Sequence, residues 1–340
     1  MADKTTIDQT TIGTTRRTLL VGSAAGLAVA TFPAPAVHAQ AAWPKERPVK
    51  IVVPFPAGAA NDAMGRIAGQ RIQDKLGATV VVENRPGGSA VIGTTAVLHA
   101  PPDGYTLLAS AFNHIVLNLV VSGVSFDPQK DFEVVARTAK APLVMVMAPN
   151  RPEKSVAEVI AAAKAQPDKW TFAVAALGAP SHLAAIDFLR RAGLDITISP
   201  YRGTAPALTD VMGGHVQLLI DSSFALLPSA RDGKVKALGI ASPERSKLAP
   251  EIPTIAETGM PGYQWQSWYG IWAPKGTPLP ILEQVNAIMR EAMADPEVLK
   301  RLEATLLEPV IETIDETRSY IAREVPRLAA LLESVNFKPQ

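Results

Sequence analysis

The chain has 340 residues, enough for about two domains with full-sized cores. Its 33 Lys and Arg balance 32 Asp and Glu, so no basic excess argues for nucleic acid; 47% hydrophobic and 19% charged content suits a globular α/β protein. Cysteine is absent, which excludes disulfides, thiolate metal sites and cysteine nucleophiles together.

Thr14-Thr15-Arg16-Arg17-Thr18-Leu19-Leu20 precedes an apolar run over residues 21–30, then Pro33, Pro35 and Val37-His38-Ala39. A twin arginine, a short apolar stretch and a small residue before a cut read as an export signal over residues 1–39, cleaved near Ala39. About a dozen apolar residues stand before the prolines, against the roughly 20 that span a bilayer. The expectation is a soluble periplasmic protein. Thr18 stands where twin-arginine signals often carry a bulky apolar residue, so the ordinary secretion route stays open beside the twin-arginine one.

The β-branched run Val49-Lys50-Ile51-Val52-Val53 predicts a strand, and Pro54-Phe55-Pro56-Ala57-Gly58-Ala59 a tight loop. Ala63, Met64, Ile67, Ala68, Ile72 and Leu76 then follow helical spacing, with Asn61 or Asp62 placed to cap. A helix N-terminus at the carboxyl end of a sheet presents free N–H groups to an anion without needing a cation. Strands over residues 78–82 and 105–110 flank a glycine-rich loop, residues 83–89, and a small-residue helix to about residue 99. The pattern begins a parallel sheet.

An apolar run over residues 143–148 predicts a further strand. Ser155 and Glu158 form a capping-box pattern for a helix to residue 165. Strands over residues 171–175, 196–198, 216–221 and 235–240 and helices over 183–191 and 205–212 make a second series of the first one's type. Residues 266–274 read as a long aromatic strand, and helices over 280–294 and 315–332 end the chain. The economical division is 43–143 with 265–340 as one lobe and 144–264 as the other, with residues 143–148 and 266–274 crossing between them.

Reaction chemistry finds little support. Gly87, Gly88 and Gly93 lack the GxGxxG spacing, and no GxxxxGK[ST] occurs. Ser181-His182 with Asp221 supplies the residue types of an exported α/β hydrolase or esterase, the alternative reading. Neighbours at a helix start point apart, however, and there is no GxSxG elbow; Ser181 reads better as an N-cap. No histidines pair at metal spacing. His114, after a strand end beside Asn113, is a ligand-contact candidate. No cofactor and no metal are expected, and the chain is not read as an enzyme.

Residues 48–62, Val82-Glu83-Asn84-Arg85-Pro86-Gly87, Pro102-Asp103-Gly104-Tyr105-Thr106-Leu107, Pro200-Tyr201-Arg202-Gly203, Pro253-Thr254-Ile255-Ala256-Glu257, Trp268-Tyr269-Gly270 and Ala273-Pro274 occur in this order. Together they make the chain, from about Trp43 onward, resemble the solute-binding proteins of tripartite tricarboxylate transporters, the Bug or TctC-like family. The resemblance implies a type II-like, two-lobed periplasmic α/β binding protein. Each lobe would be a sheet flanked by helices, joined by two crossing strands and closing on a small organic acid. The protein would act as a monomer that delivers its ligand to the transporter's membrane components.

It also implies a carboxylate held by backbone groups and ordered water around the first loop. The expected contacts are Phe55, Pro56, Ala57, Gly58, Ala59, Asn61 and Asp62, with Asn113 and His114, from the first lobe. Gly178, Ser181, His182, Tyr201, Arg202, Gly203, Thr204 and Asp221 would come from the second. Two departures from the family pattern stand out. Ala59 replaces a usual glycine, which would strain a left-handed position, and Ala175-Ala176-Leu177-Gly178-Ala179-Pro180 replaces a glycine- and serine-rich loop with a more apolar wall.

Overall fold

The valine and isoleucine side chains of residues 49–53 are buried on both faces, as a parallel strand covered by helices requires. The computed structural model describes residues 43–340 apart from 247, 248 and 305. The export signal expected over residues 1–39 and its cut near Ala39 lie outside the described residues.

The first series is β1 (Val49–Val53), α1 (Ala60–Leu76), β2 (Val80–Asn84), α2 (Val91–Leu98), β3 (Thr106–Ala111) and α3 (Leu117–Val120). The strand β4 (Phe132–Met147) and the helix α4 (Val156–Ala165) follow. The second series is β5 (Thr171–Val174), α5 (Pro180–Ala192), β6 (Thr197–Pro200), α6 (Thr204–Met212), β7 (Leu218–Ser222) and α7 (Ser223–Arg231). The chain then runs through β8 (Lys236–Ile240), α8 (Ile255–Thr258), β9 (Gln266–Pro274), α9 (Leu279–Ala292), α10 (Pro296–Glu303), β10 (Glu308–Pro309) and α11 (Ile314–Ser334).

The strand order β2-β1-β3-β9-β4-β7-β5-β6 contains the same pattern twice. In each series three parallel strands lie second, first, third, and the third meets an antiparallel strand, β9 beside β3 and β4 beside β7. The strand β4 carries both groups. Residues 132–142 pair with β9, and residues 143–147 pair with β7 and β8. The result is a mixed α/β fold, a curled sheet flanked by helices.

The strand expected over residues 143–148 is therefore only the second half of a longer one. Its first half carries Glu133, Arg137 and Lys140 and was masked by polarity. Arg137 is buried all the same, paired with Glu312 and stacked 3.7 Å over the Tyr320 ring. The helix α7 was not anticipated between the strands expected over residues 216–221 and 235–240, and Pro228 stands inside it. Leu226 and Leu227 are buried against the core while Pro228 faces outward, so tertiary packing decided the conformation. The helix α10 likewise lies unannounced between the two expected C-terminal helices. Ser155 caps α4 through Glu158 N–H at 3.1 Å, but Glu158 returns to Lys154 N–H, so the reciprocal half of the expected box is shifted by one residue.

Candidate functional site

In an open α/β sheet, ligands bind outside the carboxyl ends of the strands where the strand order reverses. Here that happens twice, between β1 and β3 and between β5 and β7. The loops from both points line a single cavity of about 350 Å³. The first series supplies residues 55–61, Ala111 and Asn113. The second supplies Ala175, Ala179, Pro180, Gly203, Thr204, Asp221, Ser222 and Phe224, and β9 adds Ser267 and Tyr269. The N-termini of α1, α5, α6 and α7 thus border one space. A helix N-terminus is the end where backbone N–H groups lack helical acceptors and the dipole is positive.

At α1 the left-handed position is Gly58, with φ 83°, and Ala59 is extended at φ −73° and ψ 162°. The alanine in place of the usual glycine is consequently unstrained. The N-cap is Ala59, and no side chain caps the helix. Asp62 instead reaches back to Gly58 N–H at 2.9 Å, and it also accepts from Asn84 and Arg66. Burial works to raise its pKa, but the bonds from Arg66, Gly58 and Asn84 outweigh it and hold the carboxyl below its ordinary value. Asp62 is therefore turned into the loop, leaving the N–H groups of Ala60 and Asn61 without intrahelical acceptors.

In the second series Ser181 is not the N-cap, which is Ala179. Ser181 Oγ accepts Ala175 N–H at 3.0 Å, and His182 Nδ1 accepts Gly178 N–H at 3.0 Å. Both side chains hold the loop by its backbone, and neither is directed at the other as a hydrolase dyad needs. Burial pushes His182 down to about 4, so its ring is neutral and fit to accept. Gly178 has φ 70°, and a methyl group there would come within 2.5 Å of Val120 Cγ2. Gly178, Ser181 and His182 thus lie behind the wall formed by Ala175, Ala179 and Pro180.

Tyr201 donates its hydroxyl to Asp210 at 2.6 Å and its N–H to Val174, while Arg202 is exposed. Both line a separate crevice at the mouth, facing Gly87, Gly88, Ser89 and Ala90. Gly203 and Thr204 reach the cavity itself, where the Thr204 hydroxyl donates to Asp221 Oδ2 at 2.6 Å.

Asn113 is fully buried on the cavity wall, and neither of its amide atoms has a protein partner; Asn61 Oδ1, also on the wall, is in the same state. A buried amide without a protein partner costs about 1–3 kcal/mol, so these are groups that a polar guest would satisfy. His114 is placed elsewhere. It is fully buried, with ring centroids 4.8 Å from Phe132 and 4.6 Å from Trp272, and burial pushes it down to about 3. It belongs to the core beside the site.

The polar residues that sequence reasoning missed are Ser267 and Tyr269, on the strand that read as a long aromatic one. The Tyr269 hydroxyl donates to Ser222 Oγ at 2.9 Å, tying β9 to the start of α7. Period-two alternation within residues 266–274 was the available signal. No Lys, Arg or His lines the cavity. Among the described residues no cluster of three His, Cys, Asp or Glu side chains offers a metal site, and no helix is long and apolar enough to cross a membrane.

The profile of the tripartite tricarboxylate transporter family receptor, TctC, matches residues 64–337. Protein BugT of Bordetella pertussis is 37% identical over 320 residues, 93% of this chain and 94% of that protein. The structure of the periplasmic binding protein BugD superposes with a TM-score of 0.81 at 32% identity, covering 87% of this chain and 99% of BugD. A second, Rpa4515 of R. palustris with adipate, gives 0.83 at 31% identity, covering 88% and 100%. The chain belongs to the tripartite tricarboxylate transporter receptor family, the Bug or TctC-like proteins.

Proposed function

We propose that this protein is a periplasmic solute-binding protein that captures a small organic acid and presents it to the membrane components of a tripartite tricarboxylate-type transporter. The observation that carries the reading is the buried, unpartnered Asn113 amide in a cavity bordered by four helix N-termini and no cationic side chain. Such a space suits a carboxylate gripped by backbone N–H groups and amides, each bond to the charged group being worth about 1.5–3 kcal/mol. A related structure described with adipate supports the ligand class. The site would comprise Phe55, Pro56, Ala57, Gly58, Ala59, Asn61, Asn113, Gly203, Thr204 and Asp221 at the cavity, with Asp62, Gly178, Ser181, His182 and Tyr201 holding its loops.

The change of strand partners on β4 between Pro142 and Leu143 supports a division into residues 43–143 with 265–340, and residues 144–264. Closure of these lobes on the ligand, in a monomer, completes the proposal. A thermal-shift screen of mono- and dicarboxylates against residues 40–340 tests it. A true ligand at 100 to 1,000 times its Kd adds about 2.7–4.1 kcal/mol of stability, and small-angle scattering then shows a smaller radius of gyration. No stabilisation by any organic acid overturns the reading.

A further inference from the structure

We infer that Asp221 makes this cavity select carboxylates that carry a hydrogen-bond donor, an amine or a hydroxyl, in place of a second carboxylate. The inference rests on the organic-acid reading and names the ligand class within it. Asp221, next to last in β7, lies on the cavity wall and is only 6% exposed. Its Oδ2 receives the Thr204 hydroxyl at 2.6 Å and its Oδ1 receives Ser222 N–H at 2.7 Å.

A carboxylate oxygen offers about two lone-pair positions, so each keeps one acceptor position unfilled. Nothing cationic on the wall balances the charge. The Tyr269 hydroxyl of β9 donates to Ser222 Oγ and not to Asp221. The amide oxygens of Asn61 and Asn113 are unfilled acceptors too, while the Asn113 Nδ2 is an unfilled donor that serves the ligand's first carboxylate together with the helix N-termini. Burial alone already disfavours the ionised form of Asp221. A second ligand carboxylate would add like charge in a space of low dielectric, and one of the two groups would have to take up a proton. An ammonium or hydroxyl instead supplies the donor that Asp221 lacks.

Calorimetry on residues 40–340 at neutral pH tests this with chain-matched probes: adipate, hexanoate, hydroxyhexanoate and aminohexanoate, and the four-carbon series from succinate to aminobutyrate. The expected result is that the amino or hydroxy acid of a series binds about tenfold or more tighter than its diacid. Asp221→Asn, which keeps the shape and can still accept from Thr204, should shrink that gap to about threefold or less. A residue that only held α6 and α7 in place would weaken all probes alike and leave their order unchanged. If Asp221→Asn does not fold, the ranking on the unaltered protein decides. A diacid that binds as tightly as its amino and hydroxy partners overturns the inference while leaving the organic-acid reading intact. Binding by no member of either series overturns the inference, and the organic-acid reading falls with it when no organic acid of the wider thermal-shift screen stabilises the protein.

Discussion

Asp62 Oδ2 accepts the N–H of Gly58 at 2.9 Å, so the loop's most flexible donor is occupied by the helix it precedes. Replacing Gly58 with Pro, an obvious way to delete that donor, would therefore force a φ near −65° onto a position at +83° and break the loop without testing the grip. Asp62→Ala is the informative change. It removes the acceptor of Gly58 N–H and one of the two bonds made by Asn84 Nδ2, which keeps Phe55 O, and should cost about 1–3 kcal/mol in urea denaturation, with weaker ligand binding as the loop loosens. Gly58→Ala meets no atom within 4 Å and should cost only about 1 kcal/mol, from backbone strain. Equal stability of Asp62→Ala and the parent protein would show that the Asp62–Gly58 bond is not formed in solution.

Asn113→Leu should separate stability from function. It removes a buried amide with no protein partner and is expected to stabilise the free protein by about 1–2 kcal/mol, while lowering carboxylate affinity about tenfold or more. Arg202→Ala, at the exposed mouth, should leave affinity within about twofold. Calorimetry that finds Arg202→Ala the damaging change would replace the backbone-and-amide grip with an ion pair.

Ser181→Ala leaves Ala175 N–H buried without its acceptor. The loss expected in chemical denaturation is about 1–3 kcal/mol. Because Ser181 lies behind the cavity wall, ligand affinity measured on the folded protein should change little. A rate of ester hydrolysis that falls with this variant would revive the hydrolase alternative.

His114 carries a pH signature. Folded, it is pushed down to about 3 by burial, from an ordinary value of 6.5. Between these values the unfolded chain binds a proton that the folded protein refuses. The stabilising contribution is thus complete above 6.5 and declines as pH falls, by about 1.4 kcal/mol per pH unit. His114→Phe keeps an aromatic ring against Phe132 and Trp272 and should flatten the acid limb by one proton in urea midpoints measured from neutral pH downward. His182, shifted in the same direction to about 4, retains its own share of the slope. Parallel limbs for the two proteins would place His114 in contact with water.

The sequence by itself determined the two strand–helix series, the aromatic strand at residues 266–274 and the loop at residues 54–59. Each of these rests on local causes: β-branched runs, proline and glycine at turns, and helical spacing of small apolar residues. It also led to the family through an ordered set of short motifs. Only the tertiary structure decided which way the polar side chains face. Ser181 and His182 turn into their loops because a buried backbone N–H nearby demands an acceptor, and Asp62 turns back to Gly58 N–H, Asn84 and Arg66. Asn113, Asp221, Ser267 and Tyr269 reach the cavity because strands distant in sequence bring their ends together. That meeting is a property of strand order, which residue spacing along the chain does not encode.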